Sequence, residues 1–549
     1  MTNPEKVPDP GAATFDAVVV GAGFAGLYML HLLRDKLGLR ATAVEAADGV
    51  GGTWYWNRYP GARCDIPSMD YSYSFSDELQ QEWVWSEKYA SQAEILAYLN
   101  FVAKKYDLKK DIRFSTRVTA ADYDEAANCW RISTDSGENV TARFLISGVG
   151  ALSTAAAPDI PGIEEFAGLS LQTSSWPREG VALSGKRVGI IGTGATAVQV
   201  IPIVAEDATH LTVFQRTPPF AAPLLNRPLG QEEQQEIKAR YKQVRADSWD
   251  AFAGVPFYHV RPSAMADTPE QRREHYEHCW SEGGFSLWLG SYEDLLMDKA
   301  ANDTAGAFVR EKIRERVKDP KVAEKLVPPP ELNYGTKRQP CETGYYETYN
   351  RDNVTLVDIK ADPIREVTPA GIRTTEAEYP LDVIIYATGF DAFTGSLYRM
   401  NIRGRKGKRL QDHWSAGPRT HLGLMSAGFP NFFTITGPLS PSVLFNMPLS
   451  IEQHCEWIAG CIEHLRKNKL DTIEPTCESE DAWTAHVKEV ADATLLPSAE
   501  SWYMGANVPG KPRVFMVYLG GGKQYREICE DVVARGYAGF ELAAASQVD

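Results

Sequence analysis

Two short glycine-bearing turns, about 170 residues apart, restrict this chain to a narrow set of folds. The first, Gly21-Ala22-Gly23-Phe24-Ala25-Gly26, follows the apolar run Phe15 to Val20, and its unit ends at Glu45. The second, Gly192-Thr193-Gly194-Ala195-Thr196-Ala197, follows Arg187 to Ile191, and Arg216 stands as far from Gly192 as Glu45 stands from Gly21. In a strand–turn–helix unit of this kind the first glycine permits the tight turn, and the second lets the backbone approach a pyrophosphate. The third position must be small so that the helix packs on its strand. The pyrophosphate then meets the N–H groups of the helix N-terminus. A carboxylate at Glu45 suits the ribose 2′-OH of FAD or NAD and repels a 2′-phosphate, whereas Arg216 attracts one. Two different dinucleotides are expected, one of them NADPH.

A length of 549 residues suggests about three domains. No apolar stretch is long enough to span a bilayer, so no membrane partner is expected. Residues 1–13 are polar and lack an apolar signal core, which implies a cytoplasmic protein. The 72 acidic residues outnumber the 57 basic ones, which argues against a nucleic-acid partner and is explained by solubility. Eight cysteines are scattered without a Cys-x-x-Cys pair or a metal-ligand spacing, and Cys64 stands alone after the first unit. That weighs against disulfide oxidoreductases, which need two redox cysteines close together beside a flavin. His275, His278 and Cys279 lie among Arg272, Arg273, Glu274 and Glu277, and read as a solvated helix face in preference to a zinc site. No metal is expected.

Later segments complete the plan. Leu381 to Ala387 reads as a buried strand ending in Thr388-Gly389, and Asn431 to Thr436 as another ending in Gly437-Pro438. Ser450 with Gln453 reads as a capping box, ahead of an apolar face of Ile451, Cys455, Ile458, Ile462 and Leu465. Between Pro218 and Pro330 the charge-rich segments Gln231 to Arg245, Pro269 to His278 and Phe308 to Leu326 read as a helical insertion closed by Pro328-Pro329-Pro330. The expected fold is α/β, with two nested Rossmann-like dinucleotide-binding domains and a helical insertion. The first domain is assigned residues 1–148 and 385–549, the second 149–219 and 332–384, and the insertion 220–331.

Two longer stretches sharpen the reading. Gly51-Gly52-Thr53-Trp54-Tyr55-Trp56-Asn57-Arg58-Tyr59-Pro60-Gly61-Ala62-Arg63-Cys64-Asp65 resembles the long signature of type I Baeyer–Villiger monooxygenases. Phe166-x-Gly168-x-x-x-Gln172-x-x-x-Trp176-Pro177 is similar to that family's fingerprint between its nucleotide domains, with Gln172 where the family carries histidine. The likeness extends through Gly335-Thr336-Lys337-Arg338, Ala387-Thr388-Gly389-Phe390-Asp391, Ser501-Trp502-Tyr503 and Gly505-Ala506-Asn507, on the side of the phenylacetone and steroid monooxygenases.

The resemblance implies that NADPH reduces FAD, that molecular oxygen forms a C4a-peroxyflavin anion, and that one oxygen atom enters beside the carbonyl of an apolar ketone to give an ester or lactone. Arg338 is the implied catalytic cation, since a guanidinium keeps its charge in a water-poor pocket, and Asp65 its carboxylate partner. FAD is implied on Gly21, Gly23, Phe24, Ala25, Gly26, Glu45, Gly52, Thr53, Trp54, Trp56, Asp65, Tyr71, Val118 and Met447. NADPH is implied on Thr193, Gly194, Ala195, Thr196, Gln199, Arg216, Thr217, Lys337, Arg338 and Trp502. Ile66, Leu444, Phe445 and Met447 are the implied substrate pocket, in the loop from Leu439 to Met447 and beside Asp65. Alternatives are a flavin monooxygenase acting on sulfur or nitrogen, and a flavin-binding redox sensor without turnover. A monomer is favoured.

Overall fold

The structure is a computed structural model that describes residues 13–156 and 158–544. The polar N-terminal segment lies, but for its last residue, outside the described residues.

The run Phe15–Val20 is buried along its last four residues, as suits a strand covered on both faces. It pairs in parallel with Ala41–Val44 on one side and Asn139–Ser147 on the other. Ile112–Arg113 extends the sheet beyond Ala41–Val44, and Val118–Asp124 with Cys129–Thr134 adds an antiparallel wing. Late in the chain Phe432–Thr434 returns to lie parallel to Asn139–Ser147, and Ile402–Arg403 joins Val118–Asp124. A second sheet is wholly parallel, in the order Val354–Asp358, His210–Gln215, Arg187–Ile191, Val383–Tyr386, Leu169–Gln172. Each sheet is thus completed by strands that return after a long excursion, which is how the two Rossmann-like units nest.

Between the strands of the second sheet lie the helices Gln231–Ala239, Tyr241–Asp250, Pro269–Glu282, Lys299–Arg316 and Pro320–Leu326. Helix Pro269–Glu282 corrects the expectation of a solvated face. His275 and Cys279 are 3% and 0% exposed, and His275 Nε2 meets the Ser291 carbonyl at 2.9 Å. The polar neighbours occupy the outer side only, because the helix packs against Ser286–Gly290 and Lys299–Arg316.

A second correction concerns Ser450, which is not a cap. The helix runs Met447–Lys467 with Asn446 at its N-cap, so Ser450 lies within it, buried, with its hydroxyl unpartnered. Pro448 explains the earlier start: its fixed φ and missing N–H fit the first turn of a helix. The apolar face is as expected. Ile451, Cys455, Ile458, Ile462 and Leu465 are all buried, and the helix packs on Phe24–His31 behind the first glycine turn. Each such aliphatic side chain contributes about 1.5–3 kcal/mol through burial.

Candidate active site

The first glycine turn is shaped by contacts that a side chain would fill. Gly21 has φ +103°, and a Cβ there would lie 2.7 Å from the Gly148 carbonyl oxygen. At Gly26 a Cβ would fall 1.8 Å from the Gly21 carbonyl oxygen, so this position serves the packing of helix on strand. Glu45, 5% exposed, accepts from the Ala22 N–H at 2.7 Å and the Ala47 N–H at 2.8 Å. The carboxylate therefore holds the turn as well as standing in the wall of the cleft, and burial raises its pKa.

That cleft is lined by Gly21, Gly23, Phe24, Ala25, Glu45, Gly52, Thr53, Trp54, Trp56, Tyr71, Val118 and Met447 among the expected residues. It also takes in Ala46, Asn57, Thr116, Arg117, Ser153 and Gln172, which the sequence reading missed or placed elsewhere. Thr116 and Arg117 follow the strand Ile112–Arg113, which lies beside the strand that ends before Glu45. The signal that would have found them is that ligands of open α/β sheets meet the C-terminal ends of strands. Gln172 closes the strand Leu169–Gln172 and shares the cleft wall with Ser174 and Ser175.

The second turn leaves an open face. Gly192 has φ +112° and a Cβ would lie 2.5 Å from the Ala387 carbonyl oxygen, whereas a Cβ at Gly194 would meet nothing within 4 Å. Gly194 is the N-cap of helix Ala195–Asp207 and supplies no capping side chain, so the first N–H groups remain available to an anion. Ala197, the small third position, is fully buried. Thr193 Oγ1 donates to the Thr217 carbonyl at 3.0 Å and fixes the loop beyond the next strand. Arg216 is exposed at the end of His210–Gln215. Burial, and then the nearby Arg216 charge, lower the Lys337 pKa against the pull of Glu500. Arg216 is thus near enough to Lys337 for their charges to interact, as suits a phosphate site.

Arg338 lies in a third region, held from three sides. Its Nη2 donates to both Asp65 oxygens at 2.8 Å, its Nη1 lies 3.4 Å from the Val443 carbonyl, and the guanidinium sits 4.7 Å above the Phe285 ring. Burial works against its charge, but Asp65 more than offsets this and holds the guanidinium above its ordinary pKa. The arginine is a fixed cation. Its segment is clamped by the insertion: Asn302 bonds both backbone groups of Tyr334 at 2.8 Å, and Trp288 Nε1 donates to the Gly335 carbonyl at 3.1 Å.

Asp65 is placed by the docking of its loop on the second unit. Gln199, on helix Ala195–Asp207, accepts from the Tyr59 hydroxyl at 2.9 Å and donates to the Arg63 carbonyl at 3.1 Å. Gln199 thus bolts the two units together. Gly61, with φ +83°, lies so close that a Cβ would stand 2.6 Å from the Gln199 carbonyl oxygen.

On the expected substrate side, Met447 lines the first cleft, and Ile66 and Leu444 are partly buried against the cores. Phe445, also implied in the substrate pocket, is held firmly by its surroundings. It is 5% exposed, fills the space over Gly522 and Gly254, and lies 6.1 Å from the Trp249 ring. Two glycines across the loop provide a slot that accepts the whole ring. Trp502 stacks on Phe393, with ring centres 5.7 Å apart.

Residues 15–246 match the family described as pyridine nucleotide-disulphide oxidoreductase. Cys64 is nevertheless buried and unpaired, as the lone position suggested. The chain is 46% identical to 2-oxo-Δ3-4,5,5-trimethylcyclopentenylacetyl-CoA monooxygenase of Pseudomonas putida, over 99% of this chain and 100% of that protein. It is 46% identical to a Baeyer–Villiger monooxygenase of Pseudooceanicola batsensis, over 96% of each chain. Among solved structures, oxidized steroid monooxygenase bound to NADP is 51% identical with a TM-score of 0.92, covering 97% of this chain and 100% of its own.

Proposed function

This chain belongs to the FAD- and NADPH-dependent Baeyer–Villiger monooxygenases, and from that premise we propose how its own residues insert one oxygen atom beside the carbonyl of an apolar ketone. The net change is ketone, O2, NADPH and a proton to ester or lactone, water and NADP+. FAD, reduced by NADPH, supplies the activation of oxygen when bound. The carbonyl undergoing attack gathers negative charge on its oxygen, and Arg338 donates to that charge from a fixed position. Asp65 anchors one guanidinium nitrogen, Nη2, through both carboxylate oxygens and keeps the group from swinging away. Glu45 and the first turn bind the flavin nucleotide, while Gly194, Arg216 and Lys337 bind the pyrophosphate and 2′-phosphate of NADPH, with Thr217 next to Arg216; Trp502 is assigned to the same cofactor. Ile66, Leu444 and Met447 provide an apolar wall for the ketone.

The observation that carries this reading is the pair Arg338–Asp65, 273 positions apart in sequence, joined at 2.8 Å where the loop of one nucleotide unit docks on the helix of the other. No described helix is long and apolar enough to cross a membrane. A cytoplasmic monomer is part of the same proposal, and size-exclusion chromatography with light scattering tests the monomer. The direct test of function supplies cyclohexanone, NADPH and 18O2 to the FAD-loaded protein. One labelled oxygen in the lactone ring per NADPH is expected. Oxygenation of a thioether without any lactone would move the chain to heteroatom chemistry.

A further inference from the structure

The helical insertion carries a group of side chains that the oxygenation reaction does not use. His278 and Glu282 stand one turn apart on helix Pro269–Glu282, and His259 reaches them from the segment ahead of that helix. One ligand atom from each lies within 4.8 Å of the other two. His259 Nδ1 is 3.5 Å from Glu282 Oε2, and His278 Nε2 is 3.5 Å from Glu282 Oε1. A tetrahedral ion with bonds of about 2.0–2.2 Å sets its ligand atoms roughly 3.4 Å apart, so each histidine already stands at that spacing from a carboxylate oxygen, and rotation of the exposed His278 and Glu282 side chains would bring all three onto one ion.

The surrounding hydrogen bonds put a lone pair on the facing atom. Ser286 Oγ donates its one proton to Glu282 Oε2 at 3.0 Å, and must therefore accept from His259 Nε2–H at 2.9 Å. In the neutral imidazole that this bond selects, His259 Nδ1 carries the lone pair and faces the Glu282 carboxylate oxygen. Opposed lone pairs repel, and a cation among them converts the repulsion into attraction. Ser286, 2% exposed, also supplies the outer hydrogen bond that fixes the tautomer and ring plane of a metal-bound imidazole. The neighbouring His275 is spent on the Ser291 carbonyl. Two imidazoles with a carboxylate suit zinc over magnesium or calcium, which demand oxygen ligands.

We propose that His259, His278 and Glu282 bind one divalent transition-metal ion of the zinc type, with water completing its coordination. The ion would pin the segment that carries Ala253 and Gly254, whose carbonyls accept from Asn446 next to Met447. Untagged, FAD-loaded protein is stripped with a chelator and titrated with zinc chloride by calorimetry. One equivalent is expected, with His278→Ala and Glu282→Gln each weakening it more than about tenfold. His278 and Glu282 are 52% and 42% exposed, so both variants keep the fold, and metal-free melting curves check this. Cobalt(II) is expected to give the visible bands of a four-coordinate site in the native protein and not in His259→Ala. The proposal is overturned by native protein that takes up no zinc. It is equally overturned by one equivalent held at native affinity in both single variants, which would move the ion elsewhere, for example to the exposed Cys477.

Discussion

At the scale of the residue, Arg338 and Arg216 show how one side chain serves two sites through its surroundings. Arg338 is partly buried and tied to Asp65, which in the proposed mechanism preorganises its charge toward an oxygen that becomes negative. Arg338→Ala is expected to lower ester formation by on the order of a hundredfold or more, with hydrogen peroxide replacing product and FAD absorbance unchanged. Arg338→Lys should rescue poorly, because an ammonium cannot hold Asp65 with one nitrogen while a second, fixed in the same plane, points to the Val443 carbonyl. Near-normal ester yield in either variant would remove Arg338 from the chemistry. Arg216 instead stands exposed at a strand end, beside Lys337. Losing its charge-assisted contact should raise KM for NADPH about tenfold or more while KM for NADH stays nearly constant. An unchanged ratio of the two KM values would show that Arg216 does not read the 2′-phosphate.

Among the elements, the helix Met447–Lys467 links the flavin side of the molecule to the segment before residue 76. Glu452, 2% exposed, accepts from the Ser74 N–H at 2.6 Å and the Phe75 N–H at 3.0 Å, and from the Ser74 hydroxyl. Burial outweighs these bonds and pushes the Glu452 carboxyl up to about 7 from an ordinary 4.5. Between those values the folded protein holds a proton that the unfolded chain has released, so rising pH favours unfolding. The stabilising contribution is complete below the ordinary value and is lost as pH passes through about 7. Glu452→Gln removes the titration and keeps a carbonyl acceptor. Its Tm relative to the native protein should therefore climb between about pH 5 and about pH 8. Parallel Tm curves across that range would contradict the assignment.

For the whole molecule, function depends on the docking of one nucleotide unit on the other, and Gly61 is where the two backbones touch. A methyl group there meets the Gln199 carbonyl oxygen at 2.6 Å, and the residue already has φ +83°. Gly61→Ala should push the Tyr59–Arg63 loop off helix Ala195–Asp207 and carry Asp65 with it. The expected result is a lower share of NADPH converted to ester, more hydrogen peroxide, and unchanged FAD content. Gly137 provides the control, since it has φ +82° but open space around its Cβ direction. Gly137→Ala should cost about 1 kcal/mol of stability from the left-handed backbone and leave coupling intact. Equal coupling in the two variants would show that Gly61 matters only for its backbone conformation.

By itself the amino-acid sequence determined what is decided within a few residues. The two glycine turns, the acid after one and the arginine after the other, and the apolar face from Ile451 to Leu465 were legible because steric exclusion, charge and helical period act locally. The signature from Gly51 to Asp65 was legible as a pattern, yet nothing in it says that Gly61 must avoid Gln199. Tertiary structure alone decided which distant groups meet: Asp65 with Arg338, Gln199 with Tyr59 and Arg63, His259 with His278 and Glu282. It also reversed local expectations: Ser450 lies inside its helix and does not cap it, and at His275 and Cys279 the packing of neighbouring helices buries positions that the surrounding charges advertised as solvated. The physical reason is the same throughout: whether a side chain faces water, a partner or a ligand depends on segments outside its own helix, turn or strand, from the next helix to a loop hundreds of residues away, and only tertiary packing places those.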